Sequence, residues 1–371
     1  MHIINICREI IIRSIAVLFI LFLWEKNAHA QCNGYESLCD KSYDEVAYLT
    51  THNAYNAEQD DFMAPNQTYG IAQQLDDGVR ALMIDVYDED GVPTVYHGFT
   101  FLGTAPLAAN LLEIKNFLTE NPNEIVTIIL ECYTTADAIE QALTDADLSD
   151  FLYAKDGDWA SLQEMIDTNQ RLVIFTDVDD ASPTQNWYHY VWHHAVETHY
   201  SVHDTAEMVC DYNRGNAWND LFIFNHFITH PSFGTGLPLQ AEIANSNPFL
   251  MNRVLECQEV HDKFPNFITV DFYEKGDALQ AVDALNGVIT STLSVDEKTV
   301  YCFPNPASNL LKISGLNNIF RYQLHDVSGK LWQSGSSNGI IQLNELPDNI
   351  YFLNVQTNSA QYHFKVVKIN H

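Results

Sequence analysis

Two histidines 45 residues apart, His52 in THNAYN and His97 in VYHG, each follow a short apolar run that reads as a buried strand. Between them GVRALMIDVYDEDG delivers Asp85 near the end of another apolar run, and EIVTIILE later delivers Glu131 in the same manner. An imidazole titrates near neutrality, so a pair on opposite sides of a reacting centre can act as general base and general acid. The carboxylates add hard oxygen donors of the kind a divalent cation takes. The combination points to cleavage of a phosphodiester or an ester, with a metal as a candidate participant.

These four side chains meet only if strand ends meet. From Val46 to about Gly287 strand-like and helix-like segments alternate. Strands are predicted at Val46–Thr50, Arg80–Val86, Thr94–Tyr96, Ile125–Leu130, Leu172–Phe175, Leu221–Phe224 and Phe267–Val270, each short and rich in Val, Ile, Leu or Phe. Helices are predicted from Pro106, with Leu107, Leu111, Leu112 and Ile114 on the apolar side, from Trp159 to Ile166, and from Ala278 to Leu285. Alternation favours a parallel sheet, and this many units favour a TIM-type (β/α) barrel, irregular or incomplete, over the alternative of a doubly wound sheet. In such a barrel the strand C-termini share one face, so residues distant in sequence converge there. After Gly287 short alternating strands follow, at Leu310–Ile313, Tyr322–Asp326, Ile340–Leu343, Tyr351–Val355 and His363–Ile369, with turns at Ser328-Gly329 and Pro347-Asp348-Asn349. That pattern is a small all-β sandwich.

Charge draws the same boundary. Residues 31–297 hold 9 basic and 44 acidic side chains, whereas 298–371 hold 6 and 3. The acidic body repels phosphate at long range, which excludes nucleic acid as a partner and electrostatic capture by anionic membranes. It is compatible with a bound divalent cation. Residues 1–30 read as a secretory signal peptide: Arg8 and Arg13 flank an apolar stretch through Leu23, and Ala28-His29-Ala30 is a small-x-small cleavage site before Gln31. Cys7 leaves with that segment, and six cysteines remain, an even number in a chain bound for an oxidising compartment. Cys32 with Cys39 and Cys210 with Cys257 are candidate bridges, and Cys132 reads as a buried reduced residue. The domain reading is thus a signal over 1–30, a barrel over 31–297 and a sandwich over 298–371.

THNAYN, GVRALMIDVYD, VYHG and NPNEIVTIILE, in that order and spacing, resemble the catalytic X region of phosphatidylinositol-specific phospholipase C, a TIM-barrel phosphodiesterase. NQRLVIFTDV and FPNFITVDFY extend the resemblance, which is closest to the secreted or surface-anchored subgroup, to roughly residues 45–290. The resemblance implies that His52 and His97 are the two catalytic histidines. In the family a hydroxyl of the substrate's own inositol attacks phosphorus and gives a cyclic phosphodiester; one histidine assists the nucleophile and the other protonates the leaving alcohol. It further implies that Asn53, Asp85 and Glu131 match three of the four calcium ligands of the calcium-dependent branch, the fourth position being Met83, which donates no oxygen. The calcium-independent branch places an arginine where this chain has Asp85. Asp271, in FITVDF, matches the carboxylate that orients the first histidine in that branch, so the site resembles a hybrid of both. Where members acting on phosphorylated inositols carry lysines, this chain has Thr176 and Asp177.

Less is expected of other conspicuous residues. Arg80 reads as a structural ion pair. His189 and His193, at i,i+4 spacing in WYHYVWHH, are a candidate zinc pair that lacks the glutamate of a metalloprotease motif, against a plainer reading as an aromatic wall or surface helix. The tail, through PNPASNLLKI, LHDVSGKLWQSG and the closing KVVKIN, resembles the C-terminal sorting domain of type IX secretion. Together the resemblances imply a protein exported to the surface or medium by type IX machinery, acting with calcium on a phosphoinositide lipid or glycan-linked inositol in transient contact with a membrane surface. The alternatives are a glycerophosphodiester- or sphingomyelin-type phosphodiesterase and a catalytically inactive surface binding protein.

Overall fold

The computed structural model describes residues 31–231, 234–288 and 300–369, except positions 304, 306, 315, 317, 318, 327 and 358–360. The expected leader and the domain boundary near 297 lie outside the described residues. One curled sheet is built from β1 (Tyr48–Thr51), β2 (Ala81–Glu89), β3 (Val92–Val95), β4 (Ala105–Pro106), β5 (Val126–Tyr133), β6 (Leu172–Thr176), β7 (Tyr188–Tyr190), β8 (Ala195–Thr198), β9 (Tyr212–Gly215), β10 (Leu221–Asn225) and β11 (Phe267–Val270). Its order is β7-β6-β5-β2-β1-β11-β10-β8-β9, with β3 and β4 continuing from β2 as an antiparallel ribbon. Eight of these strands, β1, β2, β5, β6, β7, β8, β10 and β11, run parallel and follow chain order around the ring. Among the described residues no ladder joins β7 to β8, so the barrel has one open seam. The antiparallel β9 covers the exposed edge of β8. Strands wound round in chain order exclude the doubly wound alternative.

Side-chain alternation sorts the sheet into two layers. Leu82, Ile84, Ile128, Leu130, Ile174, Phe222 and Ile268 point outward and pack with the helices Leu107–Glu120, Ala136–Asp145, Phe249–His261 and Ala278–Leu285 in one large core. Ala81, Ile129, Val173, Phe175, Ala195, Ile223 and Phe267 form a second core inside the barrel. Its floor is aromatic. Tyr43, fully buried, stacks on Trp159 at 4.9 Å and lies 5.0 Å from Tyr48, with its hydroxyl 2.7 Å from Thr127 Oγ1. The segment below it is stapled by the Cys32–Cys39 disulfide, and Cys210–Cys257 ties β9's approach to the helix Phe249–His261. Both bridges are the candidate pairs, and Cys132 is free and buried.

Differences from the sequence reading have local causes. The strands β4, β7, β8 and β9 escape prediction because their residues, AP, YHY, AVET and YNRG, lack an aliphatic run. The predicted Trp159 helix begins only at Leu162, where Ser161 accepts from the Glu164 N–H as N-cap. Leu112, expected on the apolar face of its helix, is exposed. In the tail a three-stranded and a four-stranded antiparallel sheet share one apolar core that includes Leu311, Ile341, Leu324 and Leu353, which is the expected sandwich. Tyr301–Phe303 and Leu331–Ser337 are its two strands beyond those expected.

Arg171, directly before β6, closes the lower rim. Its guanidinium donates to the carbonyls of Leu118 (3.0 Å), Asn121 (3.1 Å) and Glu124 (3.1 Å), where the helix Leu107–Glu120 runs out of intrahelical partners. Arg171→Met keeps the bulk but strips the Leu118 and Glu124 carbonyls of the guanidinium, while that of Asn121 retains the Glu124 N–H at 3.2 Å. Chemical denaturation should register a loss of about 2–3 kcal/mol. A loss under about 0.5 kcal/mol would show that water replaces the guanidinium without cost.

Candidate active site

The inward rows that are apolar at the barrel floor turn polar at the strand C-termini. Tyr48 is followed on its face by His52, Ala81 by Asp85, Ile129 by Glu131, Phe175 by Asp177, Ala195 by Glu197, and Phe267 by Asp271. A cleft of about 390 Å³ opens at this end, and His52, Asn53, Asp85, His97 and Glu131 all line it.

The parallel pairing of β1 with β11 sets Thr51 opposite Val270, so His52 and Asp271 leave adjacent strands side by side. His52 Nδ1 lies 2.9 Å from Asp271 Oδ1, and the imidazole stacks on Phe227 at 3.8 Å and 8°. Asp271 is 1% exposed. With a carboxylate at Nδ1, the proton of the neutral ring sits there and Nε2 is left as the basic nitrogen. Asn66 donates to the same Asp271 oxygen at 3.1 Å.

His97 arrives on the β3–β4 ribbon. Its Nδ1 is 3.2 Å from Asp85 Oδ2 and 3.0 Å from Asn53 Nδ2, and the Tyr55 hydroxyl donates to the same Asp85 oxygen at 3.0 Å. Burial pulls the His97 pKa down, but the hydrogen bond and charge of Asp85, with Asp271 and Glu131 behind it, outweigh burial and hold it above the ordinary histidine value. Gly234 closes against this ring: a Cβ there would stand 2.9 Å from His97 Nε2.

The far wall is acidic. Asp85 and Glu131 are direct neighbours across the β2–β5 ladder. Burial first, then the charge of Asp85, raises the Glu131 pKa, and a hydrogen bond from the Tyr133 hydroxyl partly offsets them. Asp177 follows, also raised chiefly by burial, accepting from the Cys132 N–H at 2.8 Å. Among the described residues the one Lys or Arg lining the cleft is Arg214. Its Nε binds Glu197 at 2.5 Å, and its guanidinium lies over the rings of Trp192 (4.3 Å) and Tyr200 (4.7 Å). Met83 lies two residues before Asp85 on the same strand and also lines the cleft, with no oxygen in its side chain. Among the described residues no three His, Cys, Asp or Glu side chains form a ready-made metal cluster.

All six residues singled out in the sequence therefore stand at one end of the barrel. The proposed zinc pair does not hold: His189 lies in β7 with Nε2 3.0 Å from the Tyr153 carbonyl, and His193 in the one-turn helix Val191–His194, so the two share no helical face. Burial pushes His189 down to about 4, which makes it a neutral core residue. Arg80 pairs with Glu124 at 2.8 Å, as expected. Sequence reasoning missed Asn66, Phe227, Glu197 and Arg214. No motif announces the first three, and Arg214 is legible only through the scarcity of cations in this domain.

Strand-end histidines and carboxylates thus share one cleft at one end of the barrel. The family model PI-PLC X 1 matches residues 38–286, and the chain belongs to this PI-PLC X family. A second model, the secretion system C-terminal sorting domain, matches residues 301–369. The PI-PLC X domain-containing protein 1 of Arthroderma benhamiae is 28% identical over 284 residues, 69% of this chain and 90% of that protein. A PI-PLC X domain-containing protein of Arabidopsis thaliana is 28% identical over 275 residues, covering 67% of this chain and 63% of its own length. Among solved structures, a mutant phosphatidylinositol-specific phospholipase C from Staphylococcus aureus aligns at a TM-score of 0.48 and 14% identity, over 68% of this chain and 94% of that one.

The raised His97 value has a testable sign. A histidine whose folded pKa exceeds its unfolded one contributes stability that is fully present below the unfolded value and lost as pH rises through the folded one. Asp85→Asn removes the main cause of the rise. Its His97 midpoint, followed by NMR of the ring protons, should fall below the wild-type one; an unchanged midpoint would remove Asp85 as the partner.

Proposed function

We propose that this protein is an exported phosphodiesterase that cleaves a phosphoinositol ester, of lipid or glycan-linked type, by histidine acid–base catalysis. The observation that supports it most is the doubling of one device: His52 with Asp271 and His97 with Asp85, reaching one cleft from different elements. A phosphodiester between the rings loses a proton from its attacking hydroxyl to one imidazole and gains one at the leaving oxygen from the other. The held Nδ1–H of His52 leaves its Nε2 free to accept, and the carboxylate stabilises the ring once it is charged. The partnered His97, biased toward its protonated form, is suited to donate.

The cleft also bears on the substrate. Four carboxylates, Asp85, Glu131, Asp177 and Glu197, face it with Arg214 as the lone guanidinium among the described residues, so a headgroup with extra phosphates would be repelled. A singly charged diester of a neutral polyol fits this balance. Calcium suits the donor chemistry of Asp85, Glu131 and Asn53, because burial and the charge of Asp85 raise the cost of ionising Glu131 and a cation relieves it. Bound there, calcium would neutralise charge on the phosphoryl oxygens. The sorting tail supports export through type IX secretion.

Two experiments test this reading. A panel of phosphatidylinositol, glycosylated inositol lipid, glycerophosphodiester and sphingomyelin, run with and without EDTA, should give turnover with the inositol diesters. His52→Ala and His97→Ala should each lower kcat by roughly 10²–10⁴-fold with unfolding temperatures near wild type. Turnover of glycerophosphodiesters alone would replace the substrate, and a near wild-type rate for either variant would remove that histidine. For the metal, Met83→Glu adds an oxygen donor on the Asp85 face, and affinity rises with ligand charge. Calorimetry should rank calcium binding as Met83→Glu, wild type, Asp85→Asn from tightest to weakest; any other order contradicts the assigned ligands.

A further inference from the structure

Beside the two histidines lies a dipeptide that no motif singles out, Asn66-Gln67, and both residues are fully buried. It sits in the loop that leaves β1, with the Asn66 and Gln67 N–H groups both donating to the Asn56 carbonyl, at 2.9 and 3.1 Å. The Asn66 side chain touches both halves of the site. Its Nδ2 is 3.1 Å from Asp271 Oδ1 and 3.4 Å from His52 Nδ1, and its Oδ1 accepts from Asn53 Nδ2 (3.2 Å) and Asn56 Nδ2 (2.7 Å). Since Asn53 Nδ2 also stands 3.0 Å from His97 Nδ1, the side chains of His52, Asp271, Asn66, Asn53 and His97 touch in one contiguous row.

Gln67 holds the backbone of the same two strand ends. Its Nε2 donates to the carbonyls of His52 (2.8 Å) and Val270 (3.1 Å), and its Oε1 accepts from the Tyr273 N–H at 3.3 Å. The Asn66 carbonyl accepts from the Phe272 N–H at 2.9 Å. These contacts fall where the backbone is strained. The residue after each member of the pair, Asn53 after His52 and Phe272 after Asp271, has φ +47°. That left-handed conformation is unfavourable for a side chain as bulky as Phe, and it persists only where the surroundings over-determine it.

We infer that Asn66 and Gln67 are positioning residues for the acid–base pair: Asn66 fixes the Asp271 carboxylate against His52 and ties it to the His97 side, and Gln67 holds the strained strand ends from which His52 and Asp271 project. The inference rests on the phosphodiesterase reading for its kinetic consequence and on geometry alone for its structural one. Asn66→Ala removes both sets of bonds. Asn66→Asp keeps the shape and the acceptor but replaces the donor to Asp271 with an oxygen, so it decides the matter should the alanine variant fail to fold.

The test has two arms. On whichever diester the wild type turns over, both variants should lose roughly tenfold to a hundredfold in kcat with KM within about twofold, as misplacing a catalytic group by about 1 Å does. By proton NMR of the full chain without substrate, the low-field His52 Nδ1–H resonance should shift or disappear in both variants, with thermal unfolding measured alongside. This second arm needs no activity, so it stands even if the substrate panel fails. An unmoved resonance in folded variants, or a kcat within twofold of wild type, would reduce Asn66 to loop packing, and the same outcome for Gln67→Ala would do so for Gln67.

Discussion

A carboxylate removed from water must be compensated, and Asp271, 1% exposed, is compensated by His52 and Asn66 on one oxygen. Its other oxygen, Oδ2, has no hydrogen-bond partner among the described residues. Much of the upper barrel is arranged around that charge. The β1–β11 register brings the histidine alongside it, and Phe227 backs the ring. The segment above closes over it only as glycine: a Cβ on Gly236 would stand 2.9 Å from Asp271 Oδ2 and 2.7 Å from the Phe272 ring.

The opposite wall poses the reverse problem. Asp85 and Glu131 stand on β2 and β5 and Asp177 directly after β6, and their carboxyl groups have few cations to answer them. His97 and Tyr55 answer Asp85, Tyr133 answers Glu131, and Arg214 is already engaged with Glu197. The cleft is therefore asymmetric, with a closed and compensated dyad at His52 and an open, charge-rich edge at His97. That asymmetry accommodates either a cation beside Asp85 or a substrate bearing no charge beyond its diester.

The site was legible from sequence to the extent that it follows strand periodicity. Asp85 and Glu131 fall at the ends of aliphatic runs, four and two residues beyond the inward apolar Ala81 and Ile129, and a period of two carries them into the barrel mouth. His52 and Asp271 also stand at strand ends, but the reading of Asp271 came from family resemblance, since nothing in FITVDF alone distinguishes it from a solvated terminus. Asn66 and Gln67 were invisible because their roles depend on a loop folding back across two strands 219 residues apart, and amide side chains carry no periodic signal. The β7–β8 seam was invisible for another reason. Its strands, YHY and AVET, carry no aliphatic run, and His189 of β7 and His194 just before β8 owe their burial to packing against Trp159 of the aromatic floor.

The account's central claim is intramolecular attack under two-histidine catalysis. It is tested most directly by following the reaction of phosphatidylinositol with ³¹P NMR in ¹⁸O-labelled water. A cyclic inositol phosphodiester, free of label, should be the first product to accumulate and should be absent with His52→Ala and His97→Ala. A labelled phosphomonoester from the earliest time point, with no cyclic species, would mean that water is the nucleophile and would contradict the account.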